Sequence, residues 1–107
     1  MDYLGGFEFM VLVALLRLGD QAYGVTIRQE LETRTGRAVS IGAVYATLNR
    51  LEAKRYVKSR FGDPTPERGG RSKRFFRVTK PGEAAVKRSY EATRRLVAGL
   101  DFVRSFS

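Results

Sequence analysis

The chain of 107 residues contains no cysteine and no histidine. Without cysteine there is no disulfide, no thiolate metal site and no thiol nucleophile, a pattern at home in a reducing cytosol. Without histidine the commonest general base and the commonest metal ligand are missing too. Carboxylates, lysine and tyrosine remain, but they form no constellation. Glu30 and Glu32 lie two apart on a helical segment, a spacing that does not set side chains side by side. Tyr23, Tyr45 and Lys54 make no recognisable catalytic set, and the glycines at 5, 6, 19 and 24 do not build a phosphate loop. No enzyme, metal or cofactor is expected. A long apolar run is also lacking. Phe7 to Leu18 is interrupted by Glu8 and Arg17 and falls short of the ~20 residues that span a bilayer. The start, MDYLGGFEF, has no basic n-region and is not read as a signal peptide. The expectation is a single soluble, cytoplasmic domain with no membrane partner.

What the chain does have is positive charge, and it is concentrated. Residues 37–80 carry twelve Lys/Arg against three Asp/Glu, a net of +9, which equals the charge of the whole chain. Residues 1–36 and 81–107 carry −2 and +2. Charge localised in this way points to a polyanion-binding face.

The pattern along the whole chain agrees. Gly6–Leu18 reads as a first helix, apolar on every face, and such a helix in so small a chain needs a partner subunit over its outer side. Tyr23–Thr35 reads as a second helix stopped by Gly36. Ser40 suits the N-cap of a third, in which Val44, Leu48 and Leu51 form a narrow apolar stripe. Its other faces carry Gly42, Ala43, Tyr45, Ala46, Thr47, Asn49 and Arg50, small or hydrogen-bonding residues suited to a major groove. Tyr56–Phe61 and Arg74–Thr79 read as two strands, with Val57 and Val78 in the core, joined by a loop rich in glycine, proline and charge. Arg68, Arg71, Lys73 and Arg74 gather at its tip and returning strand. A last helix runs from Thr79-Lys80-Pro81 to about Phe102. Val86, Tyr90, Thr93, Val97 and Leu100 repeat along it in steps of four and three, a seam suited to a second helix, and the spacing continues to Val103 and Phe106. The reading is a mainly α fold with a small β-wing: a winged helix-turn-helix over 1–80 and a dimerisation helix over 81–107, packed as one unit.

Three segments carry a family likeness over residues 4–86: LGGFEFMVLVALLRLGDQAYGVTIRQELE, SIGAVYATLNRLEAKRYV and ERGGRSKRFFRVTKPGEAAV. Together they resemble the PadR family of bacterial winged-helix transcriptional regulators, in particular its short members with one terminal helix. The resemblance implies a homodimeric transcriptional repressor that binds double-stranded DNA. Ser40, Tyr45, Thr47, Asn49 and Arg50 would face DNA from the third helix, with Arg68, Arg71, Lys73 and Arg74 from the wing. Phe7, Met10, Val11, Tyr90, Val97 and Leu100 would meet the partner. Family members include sensors of phenolic acids and flat aromatic drugs, so a small aromatic effector is implied; Phe7, Phe9, Met10, Tyr90 and Phe102 are its candidate lining. The chain departs from the pattern at Arg55, where a glycine often ends the recognition helix, and an extended or frayed helix end is expected there. Its terminal helix is also short for a deep effector pocket. The competing reading is a winged-helix module that binds nucleic acid or protein with no effector response.

Overall fold

In the computed structural model, which describes residues 4–62 and 73–102, each helix starts at a side-chain hydrogen bond made within its first turn or to the residue just before it. At α1 (Gly6–Leu18), Glu8 Oε1 accepts from the Gly5 N–H at 2.9 Å. At α2 (Gly24–Thr35), Thr26 Oγ1 accepts from the Tyr23 N–H at 3.0 Å. Ser40 caps α3 (Ile41–Ala53), its Oγ accepting from the Ala43 N–H at 3.1 Å. Thr79 caps α4 (Lys80–Val97) in the same way, with Pro81 in the first turn. Between α3 and α4, β1 (Val57–Phe61) pairs antiparallel with β2 (Arg74–Val78), Val57 opposite Val78 and Phe61 opposite Arg74. The Phe76 N–H donates to the Ala22 carbonyl at 2.9 Å and Tyr23 bridges Phe75, so the residues before α2 edge the sheet.

The three helices and one face of the hairpin enclose the core. Val11, Leu12 and Leu15 meet Ile27 and Leu31 of α2 and Val44, Leu48 and Leu51 of α3, and Val57 and Phe76 close it from the sheet. Strand alternation explains the choice: Val57, Phe76 and Val78 share the inward face, while Lys58, Arg60, Phe75 and Arg77 point outward. Phe76 fills the centre, and Val78, expected there, is half-buried.

Three expectations need correction. Val11, assigned to the partner contact, has no exposed surface and belongs to the chain's own core. α4 ends at Val97 rather than about Phe102. Ala98 turns to an extended ψ of 133° and Gly99 takes a φ of 84°, which a glycine adopts without strain. Val103 and Phe106 lie outside the described residues.

The third correction concerns Arg55. α3 neither extends nor frays: the Tyr56 N–H reaches the Leu51 carbonyl and the Arg55 N–H the Glu52 carbonyl, both at 2.9 Å, a complete Schellman closure. Arg55 itself takes the left-handed position, at φ 65°. It fills the glycine's place with the glycine's geometry and carries the strain. Arg55→Gly is therefore expected to stabilise the fold by up to ~1 kcal/mol, since relief of left-handed strain exceeds the added entropy of the unfolded chain. An unchanged or lower melting temperature would show that the position is unstrained.

Candidate nucleic-acid interface

The docked stripe of α3 fixes which of its residues can meet a groove. Val44, Leu48 and Leu51 are buried, so Ser40, Gly42, Ala43, Tyr45, Ala46, Asn49 and Arg50 face outward. Thr47 does not. Expected among the groove contacts, it is instead 1% exposed, three residues after Val44 on the inward side, and its Oγ1 accepts from Arg50 Nη2 at 3.0 Å. It orients Arg50 from below and cannot reach a base edge.

Arg50 is held from a second side by Glu8. Its Nε lies 3.9 Å from Glu8 Oε2, and Lys54 Nζ lies 3.0 Å from the same oxygen. Burial opposes ionisation of Glu8, but the Gly5 N–H bond, the Lys54 ammonium and the nearby Arg50 outweigh it, so the carboxyl sits below its ordinary value. In the sequence Glu8 stands only as a break in an apolar run. It is the link between the start of α1 and the end of α3, and an acidic residue at the third position of a helix was the available signal.

Tyr45 is placed by a glycine. A Cβ on Gly24 would collide with the Tyr45 ring and hydroxyl, so the ring lies across the start of α2. This explains the Ala22-Tyr23-Gly24 turn: Ala22 is buried and holds β2, Tyr23 meets Phe75 edge-on at 5.5 Å between centroids, and Gly24 leaves room for Tyr45. Lys73 reaches the same place, its Nζ 4.5 Å above the Tyr23 ring and 3.4 Å from the hydroxyl it donates to.

Of the wing cations, Arg68 and Arg71 lie outside the described residues. Lys73 is exposed. Arg74 is engaged within the chain: it ion-pairs with Glu52, whose other oxygen accepts from Ser59, and stacks 4.9 Å over the Phe76 ring. Of the residues assigned to the partner, Phe7 and Val97 are half-buried, while Met10, Tyr90 and Leu100 are 36%, 56% and 46% exposed. Among the described residues no helix is long and apolar enough to cross a membrane, and no cluster of acidic residues could hold a metal ion.

Residues 11–88 match the model of the transcriptional regulator PadR-like family. The chain belongs to that family. Its members are transcriptional regulators rather than enzymes, and the chain has their winged-helix DNA-binding fold. An uncharacterised protein of Lysinibacillus sphaericus is 32% identical over 85 residues, 78% of this chain and 74% of the relative. Among solved structures, a PadR-like transcriptional regulator from Bacillus cereus superposes with a TM-score of 0.73 at 14% identity, covering 91% of this chain and 89% of its own. The winged-helix DNA-binding protein of STIV superposes at 0.70 with 17% identity, covering 92% and 98%.

Proposed function

We propose that this PadR-like regulator is a cytoplasmic homodimeric repressor that reads an inverted-repeat operator with half-sites about one helical turn apart, on the order of 10 bp. The observation that carries the reading is the outward face of α3, where Asn49 and Arg50 stand beyond a surface of Gly42, Ala43 and Ala46 small enough for close approach to bases. Asn suits adenine and Arg suits guanine by bidentate geometry, with Tyr45 and Ser40 beside them. Lys73, with Arg68 and Arg71, supplies phosphate contacts from the wing. Residues 1–80 act as the DNA-binding unit and 81–107 as the dimerisation segment. Release by a small aromatic effector is supported by an open groove of about 470 Å³ in which Phe7, Met10, Leu31 and Val39 stand beside Arg37, Ser40 and Ala43; of its expected lining, Phe9, Tyr90 and Phe102 lie outside it.

The test is selection of bound fragments from a random DNA pool near physiological salt, followed by binding of the selected site. Asn49→Ala is expected to relax selectivity at one position of each half-site by ~1–3 kcal/mol. Arg71→Ala is expected to weaken all sequences alike and lower the salt slope by about two, one for each half-site of the dimer. Selection without a consensus would replace the repressor reading with that of a non-specific basic module.

A further inference from the structure

The sequence directed attention to the wing tip, but the strands carry their own basic surface. Lys58 and Arg77 stand directly opposite each other in the hairpin register, both exposed on its outer face. Arg60 lies on the same face, opposite Phe75, with its guanidinium 4.8 Å over that ring. Like charges directly across a strand pair oppose folding, so hairpin stability does not account for Lys58 and Arg77. Nor are they neutralised: among the described residues Lys58, Arg60 and Arg77 have no ion pair, while the inward-facing Arg74 is matched by Glu52. The three line a concavity of about 450 Å³ that Asp20 and Gly19 border at one end.

This face is joined to the recognition helix. From Tyr45 the surface passes over Gly24 to Tyr23, from Tyr23 edge-on to Phe75, and from Phe75 to Arg60, with Lys73 above Tyr23. The rings hold Lys73 and Arg60, and the strand register sets Lys58 and Arg77 on the same face as Arg60. Cations without an ion pair among the described residues, set along one face, suit a phosphodiester backbone, and the guanidiniums can each grip a phosphate with two N–H groups.

We infer that Lys58, Arg60 and Arg77 form a second phosphate-binding surface, on the outer face of the wing sheet, that takes the backbone of duplex DNA running on from the half-site read by α3. The inference rests on the DNA-reading proposal and extends its footprint. Wild type, the Lys58→Ala/Arg60→Ala/Arg77→Ala variant and Asn49→Ala are compared on a selected duplex of about 30 bp across a salt series. The triple variant is expected to bind at least ~10-fold more weakly, with a salt slope smaller by about five, because a dimer loses six cations at once, and with base preferences unchanged. Lys58→Glu separates binding from folding: it creates an opposite-charge pair with Arg77, so melting temperature is expected to hold or rise while affinity falls. If the triple variant matches wild type in affinity and slope while Asn49→Ala loses selectivity, the second surface is wrong and the α3 reading stands. If wild type itself selects no sequence, the α3 reading fails and this extension fails with it.

Discussion

Replacing Gly82 with alanine is expected to destabilise the protein by about 3 kcal/mol, a drop in melting temperature of roughly 10–20 °C. In an open helix the same change gains up to ~1 kcal/mol, so the sign alone is diagnostic. Gly82 is buried in the first turn of α4, its N–H donated to Thr79 Oγ1 at 3.1 Å. A methyl there would strike the Tyr56 carbonyl oxygen and come within 2.9 Å of Val78 Cγ1. Neither side can yield. The same carbonyl accepts from the Thr79 N–H at 3.0 Å, and the Tyr56 N–H is itself committed to Leu51 in the closure of α3. The collision is backbone against backbone, and no side-chain rotation relieves it. Gly42→Ala is the paired control, since a Cβ at Gly42 meets nothing within 4 Å. If both variants melted alike, the close packing of α4 on the end of α3 would be wrong.

Such a contact is invisible in the sequence because it joins two segments through main-chain atoms. What was legible there was local: the bounds of α1, the Ser40 cap, the Gly36 stop and both strands follow from caps, periodicity and turn residues within a few positions. The α3 stripe was legible for the same reason. Thr47 was misplaced because a polar residue one position from Leu48 can lie on either side of a narrow stripe, and only packing against α1 and α2 settles which. Val11 was misplaced for the opposite reason. When every face of a helix is apolar, the pattern does not distinguish the side that meets its own core from the side left bare. Glu8, Glu52 and the outward basic face depended on pairing across the fold: Glu8 answers Lys54 forty-six residues away, and the register alone brings Lys58 opposite Arg77. The Arg55 departure was visible as a residue type. Its consequence, a strained cap rather than a lengthened helix, required the backbone angle.

The second large effect is expected from Leu96→Asp, which should convert the proposed dimer to monomer and weaken binding to a two-half-site operator by ~10²–10⁴, the avidity of two linked contacts. Of α4, Gly82, Ala85 and Val86 are buried. Beyond them Tyr90 is 56% exposed, Leu96 82%, Leu100 46% and Phe102 54%. The radius of gyration, 15.6 Å, exceeds the ~13 Å of a spherical chain of this length, and the longest dimension is 54 Å. Both fit a helix that leaves the body after its first turns. Apolar side chains so uncovered at the end of α4 and just past it call for a second surface, and α1 offers exposed Met10 and Leu16. Because Leu96 makes almost no contact within its own chain, the aspartate should leave the helical circular dichroism intact, so a loss of dimer in sedimentation reports the interface and not unfolding. Binding to a single half-site should be unaffected. A variant that remained dimeric and bound the full operator like wild type would remove this end of α4 from the interface, and a monomeric wild type would end the dimer reading, leaving one winged helix to read one half-site.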